Sequence, residues 1–444
     1  MDRIPLLFRS ALYALRGGFL IRPFVIALVL GIAGAVMSSL EEAVPAIGGW
    51  IPEILFPSHE DPQVAQVILG SIATSIMTVV SIVFAILLMT LTLASTQFSP
   101  RILVSFVRDR TTQWTLGVFL GTFSYCIAAL PAARTLPHPF VPVATTTGAM
   151  LLALVSVGWL IYFIHHISQA ISVNHIIDRI ARETELVIDD FMPDARSEFS
   201  PTELAENDDA GEPIPVLSRR SGYIRYLNTG RLLHLAREYH IRIRVERRVG
   251  QFVPAGVPLL WVSRAERVGP ERAAHLLATF DIGPTRTMQQ DVEFGVIQIV
   301  DIALRAISPA VNDPSTAISC IDQLSRVLIG WINRAPPRSH FFGPPHVLRV
   351  VVPWISLDGL LDTAFEQIRH YAAADIAVSL RLLRAFNDVA AATGSGEVRR
   401  SLLERAQRVV DGCAAQLPDY ALQGLRQRLD VLAKGGSPAA ADVA

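Results

Sequence analysis

The sequence is poor in the residues that most often carry chemistry. Its 444 residues hold three cysteines, Cys126, Cys320 and Cys413. They lie far apart, and one falls inside an apolar run, so neither a disulfide framework nor zinc-ligand spacing is present. Lysine is almost missing. Lys434 is the only one, and arginine supplies the rest of the basic charge, a bias that reflects base composition. Charged residues make up 18% of the chain, against roughly 25% in an ordinary soluble domain. The formal net charge is −1, which gives no basic face for nucleic acid. There is no Gly-x-Ser-x-Gly elbow, Walker loop, dinucleotide fingerprint, HExxH or CxxC. The carboxylates do not cluster at metal-ligand spacing. No catalytic set, cofactor or metal is indicated.

What the chain has instead is long apolar runs. The first, PFVIALVLGIAGAVMSSL, covers 23–40. It is too long for a signal-peptide core of roughly 7–15 residues, and no small-x-small cleavage site follows it. A retained span is expected. The second runs from about 67 to 96 without a charge, the third from 114 to about 130, and the fourth from 141 to about 167. Crossing the hydrocarbon core takes about 20 residues. Trp114, Trp159 and Tyr162 stand toward span ends, where aromatic rings favour the interface.

Charge in the connections predicts the orientation. Arg3, Arg9, Arg16 and Arg22 precede or open the first span. The first loop carries Glu41, Glu42, Glu53, Glu60 and Asp61 and no basic residue. The second loop has Arg101, Arg108 and Arg110, the third only Arg134, and Arg179 and Arg182 follow the fourth span. By the positive-inside rule both termini are expected in the cytoplasm.

On the second span Ser71, Thr74, Thr78, Ser81, Ala85, Leu88, Thr92 and Ser95 recur every three or four residues, on one helix face. That stripe reads either as a helix-packing face or as a polar seam lining a path between subunits. No carboxylate or arginine falls in the core of a span, which argues against a proton-driven carrier. His165, His166 and His175 follow at the end of the fourth span. On a continuous helix His166 and His175 point to opposing faces and cannot share a metal. The helix is expected to continue as a stalk.

The expected organisation is a four-helix transmembrane domain over 1–170, then a helical stalk and acidic linker over 171–220. A small strand-rich unit (221–262) and a mainly helical cytoplasmic domain (263–434) follow, and the tail 435–444 is expected to be disordered. In the strand-rich unit, GYIRYL and IRIRVERRVG read as strands. TGRLLHLAREY reads as a helix capped by Thr229. QFVPAGVPLLWV reads as a hairpin of the barrel-sandwich type with no lysine at its turn. DIGPTRTMQQ reads as a loop. DVEFGVIQIVDIALRAI is apolar nearly all round and therefore buried, with Asp301 and Arg305 one turn apart and able to pair. In SPAVNDPSTAIS, Asp313 is placed to cap a helix whose first residue is Pro314. That helix start is either a capped corner or an anion site. APPRSHFFGPPH reads as a Pro-rich loop, HVLRVVVP as a strand, and 357–434 as three or four amphipathic helices.

Several segments together resemble a bacterial family of predicted membrane proteins, the 2254 family of domains of unknown function. They are ASTQFSPRILVSFVRDRTTQ, LGVFLGTFSYC, YFIHHIS, SGYIRYL, GQFVPAGVPLLWV and RTMQQDVEFGVIQIVDIALRAISPAVNDPSTA. The resemblance implies four spans followed by a soluble domain and no established activity. A site, if the family has one, is expected among Arg286, Thr287, Gln290, Asp291, Asp301, Arg305, Asn312 and Asp313, where a ligand or an interface could be held.

The fold expected is thus an α-helical membrane protein with a C-terminal, mainly α and partly β cytoplasmic domain. The function expected is a homo-oligomeric channel or passive transporter, gated by that domain. The alternative is a membrane-anchored scaffold or signalling protein whose domain binds a protein or an anionic small molecule. The partners expected are the lipid bilayer, further copies of the chain and such a cytoplasmic ligand, with no nucleic acid.

Overall fold

The computed structural model describes residues 21–44, 61–97, 109–135, 139–170, 172–193, 212–345 and 347–434. Arg3, Arg9, Arg16, the loop arginines 101 and 108, most of the first loop and of the acidic linker, and the tail lie outside them, as does the side chain of Ser95. The chain divides into two compact units, which part at Ser172 and Val173.

Among its described residues the N-terminal unit holds four helices long and apolar enough to cross a membrane: α1 (Ile21–Ala43), α2 (Pro62–Gln97), α3 (Arg110–Ala129) and α4 (Val143–Ala170). Half of the apolar stretch of α3 is buried within the chain, against 17% for each of the others. Helix α3 is therefore the centre on which the other three pack. Glycines permit the approach. Gly117 and Gly121 of α3 receive Ile26 and Leu30 of α1, and Gly34 of α1 lies against the Tyr125 backbone. These paired contacts advance together along both chains, so α1 and α3 are parallel. Small residues at such contacts allow the close packing that drives helix association in lipid.

Helix α4 runs antiparallel to α3 and is tied to it by hydrogen bonds. Trp159 Nε1 donates to Thr115 Oγ1 at 3.0 Å, Tyr125 OH donates to the Thr145 carbonyl at 3.2 Å, and the hydroxyls of Thr122 and Ser156 lie 3.1 Å apart. Asp109 caps α3 by accepting from Thr112 N at 2.9 Å and also meets His166 Nε2 at 3.0 Å. Glu41 was expected in the first loop. It sits in the last turn of α1, buried, and its carboxylate accepts from the amides of Ala144 and Thr145 at 2.7 and 2.9 Å. An acidic side chain from one span thus caps the positive end of another.

The C-terminal unit begins with α5 (Val173–Phe191). The sequence reading makes this stretch a stalk continuous with the fourth span. The structure ends α4 at Ala170 and packs α5 on two later helices, α8 (Val292–Ala306) and α9 (Pro314–Ile332). The reason is its apolar face: Ile176, Ile177, Ile180, Val187 and Ile188 are all buried. Arg326 of α9 fixes the contact, reaching Glu185 at 2.6 and 2.7 Å and Asp178 at 2.9 Å.

Between α5 and α8 lie β1 (Ile214–Leu217), β2 (Gly222–Leu227), α6 (Thr229–Glu238), β3 (Ile243–Val245), β4 (Phe252–Val253), β5 (Pro258–Val262), α7 (Pro270–Leu277) and β6 (Phe280–Gly283). After α9 come β7 (His340–Gly343) and β8 (Val347–Val351), then α10 (Leu357–Tyr371), α11 (Ile376–Ala391), α12 (Gly396–Ala414) and α13 (Asp419–Lys434). One sheet has the order β1-β5-β3-β8-β7 and the other β4-β2-β6. Their shared core is built from Ile224, Leu232, Ile241, Ile243, Leu260 and Val350.

Six readings change here. IPVL, expected in the linker, is β1, paired with β5. The two arms of QFVPAGVPLLWV do not pair as a hairpin: β4 joins β2, and β5 joins β1 and β3. Asp281–Gly283, expected as the start of a loop, belongs with Phe280 to β6. HFFG, expected as loop, is β7. The strand-rich unit does not close at Val262, because β8 returns from beyond α9 to lie parallel to β3. The cap of α6 is Asn228, one residue before Thr229.

A Cβ on Gly34 would stand 2.6 Å from the Tyr125 carbonyl oxygen, and backbone cannot swing aside. Gly34→Val is expected to cost about 1–3 kcal/mol through overpacking. It would be read as a lower melting temperature of the detergent-solubilised chain. Gly158→Val, where a Cβ meets nothing within 4 Å, should leave the melting temperature near that of the parent.

Candidate functional site

The distinctive stretch between Arg286 and Thr316 divides between the two ends of α8. At the start of α8, Asp291 is the N-cap. Its Oδ1 accepts from Phe294 N at 3.1 Å. Arg286 reaches back over the preceding turn and holds the same carboxylate with two parallel bonds of 2.8 Å. One of the two nitrogens, Nη2, also donates to Glu293 at 2.8 Å. Glu293 is held from the other side by Arg248, again through two bonds, both of 2.9 Å. Two guanidiniums and two carboxylates therefore alternate in one chain, with no net charge. The Asp291 side chain is 3% exposed, that of Glu293 12%.

Burial dominates the titration of Asp291 and lifts its carboxyl above the usual range, against the pull of Arg286. Burial acts in the same sense on Glu293, but the bonds from Arg248 and Arg286 outweigh it and hold that carboxyl below its usual range. Gly250 makes room for the arrangement. Its φ is +90°, and a Cβ there would stand 2.3 Å from Asp291 Oδ2. Beside the chain of charges, Gln290 acts as a piece of strand. Its Oε1 accepts from Leu227 N at 2.8 Å and its Nε2 donates to Leu227 O at 3.3 Å. Thr287 Oγ1 is buried without a hydrogen-bond partner. An open cleft of about 480 Å³ adjoins Gln290, between Asp189, Arg334, Arg338 and Trp354.

Asp301, Arg305, Asn312 and Asp313 lie toward the other end of α8, whose 15 residues span roughly 20 Å. Asp301 and Arg305 are both engaged in polar contacts. Asn312 adopts φ +49°, a conformation that asparagine tolerates. Asp313 caps α9, accepting from Thr316 N at 3.1 Å and Thr316 Oγ1 at 2.6 Å. Those bonds hold its carboxyl below the usual range. The start of α9 thus carries its own anion. Arg248 and Glu293, which complete the network, escaped the sequence reading. Arg248 sat in a presumed strand, and Glu293 stood among apolar residues of a helix read as wholly buried.

On α2, Ser71, Thr74, Thr78, Ser81 and Thr92 are exposed, while Leu69, Ala73, Ile76 and Val83 face inward. The stripe is not the face by which this chain packs its own spans. Its hydroxyls turn back on the helix: Thr74, Thr78, Ser81 and Thr92 donate to the carbonyls four residues earlier at 2.9–3.0 Å. Among the described residues no group of three or more His, Cys, Asp or Glu could hold a metal. Cys320 is fully buried, and that burial pushes its thiol well up, away from the thiolate a nucleophile requires.

Removing one partner of a buried pair leaves a charge without compensation. Arg286→Met is therefore expected to cost about 3–5 kcal/mol, measured by chemical denaturation in detergent. Gly250→Ala should also destabilise, from its positive φ and from contact with Asp291. Because the folded pKa of Glu293 is lowered, its contribution is complete above the ordinary value of 4.5. It is lost as pH falls through the folded value. The stability gap between the parent and Glu293→Gln should accordingly be widest above pH 4.5 and shrink below it.

The profile of the family described as predicted membrane protein, domain of unknown function 2254, matches residues 16–388. The uncharacterised proteins Rv1290c of Mycobacterium tuberculosis and Mb1321c of Mycobacterium bovis are each 32% identical to the chain over 390 residues, covering 86% of it and 73% of their own length. No solved structure matches. With four apolar helices followed by a mainly helical, partly stranded unit, the chain belongs to the family of predicted membrane proteins defined by domain of unknown function 2254.

Proposed function

We propose that the protein is a homo-oligomeric channel or passive transporter of the bacterial inner membrane, with both termini in the cytoplasm and the C-terminal unit as its gate. The observation that carries this reading is the outward placement of the α2 stripe. A single chain buries α3 at its centre and leaves Ser71, Thr74, Thr78 and Ser81 on the outside. Lipid gains nothing from a hydroxyl-bearing face. A ring of such faces from several copies encloses a path lined by small and hydroxylated side chains. The arginine-rich N-terminal, second-loop and post-span segments, set against an acidic first loop, support the orientation.

One observation favours the alternative of a membrane-anchored scaffold or signalling protein. The stripe hydroxyls already bond to their own helix, so neither water nor an ion is needed to satisfy them.

Flux through liposomes containing the purified full-length chain separates the two, together with its oligomeric state in native membranes. The channel reading expects an oligomer with solute or ion flux, and a changed conductance in the Thr74→Ala, Thr78→Ala, Ser81→Ala triple variant. A chain without flux under any ion or pH condition, in which the triple variant alters melting temperature alone, belongs to the scaffold reading.

A further inference from the structure

The ion network at Arg286 is complete in itself, so an anionic ligand has no free guanidinium to meet there. A group of arginines with no close carboxylate partner among the described residues lies elsewhere in the C-terminal unit. Arg349 projects from the middle of β8 and is half-buried. Its Nε is buried and has no hydrogen-bond partner. Arg237 comes from the last turn of α6. A Cβ on Gly343 would lie 3.2 Å from side-chain atoms of both Arg237 and Arg349, so this glycine of β7 is where the two arginines close in. Arg264 and Arg267 arrive from the turn that follows β5. Among the described residues no carboxylate pairs with Arg237, Arg264 or Arg349, and Arg267 has only a loose contact of 3.8 Å with Glu266.

The arrangement is held by backbone rather than by counter-charge. Arg237 Nη2 donates to the Phe342 carbonyl at 2.9 Å, and Arg267 Nη1 donates to the His240 carbonyl at 3.1 Å. Carbonyl partners fix the guanidiniums without neutralising them. Burial, and then the charges of Arg264, Arg237 and Arg267, pull Arg349 below its usual pKa. Like charges assembled around a partly desolvated guanidinium repel one another, and an anion placed among them relieves that repulsion. Guanidinium forks match the oxygens of phosphate in pairs. Two arginines that close in at Gly343, with the charges of two more acting on one of them, suit an anion with several charged oxygens better than a single carboxylate.

We propose that Arg237, Arg264, Arg267 and Arg349 form a binding site for a phosphate-bearing anion, either a free phosphate compound or the headgroup of an anionic lipid. The site is independent of whether the spans conduct.

The test is calorimetric titration of the full-length chain in an uncharged detergent. One arm uses inorganic pyrophosphate, and the other uses short-chain phosphatidylglycerol below its micelle concentration. Binding in either arm that weakens with added salt supports the site and identifies the source. Arg349→Gln should weaken it by about tenfold or more, the loss of a charge-assisted hydrogen bond pair. Arg349→Lys, which keeps the charge and loses the fork, should bind with intermediate strength. Arg399→Gln, exposed on α12, should match the parent. Because Arg349→Gln removes repulsion, it should fold at least as well as the parent without anion, so weak binding cannot be put down to misfolding. No binding in either arm, or equal binding by the parent and Arg349→Gln, overturns the proposal.

Discussion

Asp291 has 3% of its side chain exposed, and a carboxylate at that depth must be neutralised where it stands. Arg286 does this from five residues earlier, and the Phe294 amide adds the helix terminus to the same oxygen pair. That bond sets where α8 starts. Helix α8 in turn carries α5, α9 and α10 against its sides. Glu293 extends the link to Arg248, and so to the turn that leads into β4. The stranded and helical parts of the C-terminal unit are thereby joined at one point by four charges that cancel. Without the glycine at position 250 the turn could not come close enough to let them meet.

The same device appears in the N-terminal unit. Glu41 closes the start of α4, and Asp109 closes the start of α3. Each carboxylate lies at a span end, where free amides await a partner. Within the spans the contacts are made by glycine, hydroxyls and aromatic edges instead. The apolar centre of the unit therefore carries no charge among its described residues, while its ends are fixed by charge. Such a design defines where the helices stop without placing an ion in the bilayer core.

What could be read from the sequence follows from how local each signal is. The four spans were legible because an apolar run of that length has few other uses. The caps at Asp313 and Asp291 lie within three residues of the amides they bind, and the Asp-Pro pair at 313 and 314 announced one of them. Strands β1, β6 and β7 were missed because each is four residues long. Each owes its state to a partner distant in sequence. The hairpin expected in QFVPAGVPLLWV failed for the same reason: the turn signal was sound, but the arms found better partners in different sheets. Helix α5 was legible as amphipathic but not as buried, since its partners α8 and α9 lie more than a hundred residues on. Of the site residues, Arg286 and Asp291 were within reach of local reasoning. Arg248 needed the fold.

Among the described residues many carboxylates are committed to the chain's own arginines and helix ends, and that fact separates structural charge from available charge. Arg286, Arg248 and Arg326 stand out in the structure because they are bonded, yet bonded guanidiniums have little left to offer a ligand. An overall charge of −1 conceals the opposite case, in which Arg237 and Arg349 close in at Gly343 with no carboxylate partner among the described residues. An anion placed between them completes the set. On the α2 stripe the hydroxyls of Thr74, Thr78, Ser81 and Thr92 already bond to their own helix, so their outward face marks where a neighbouring helix would sit.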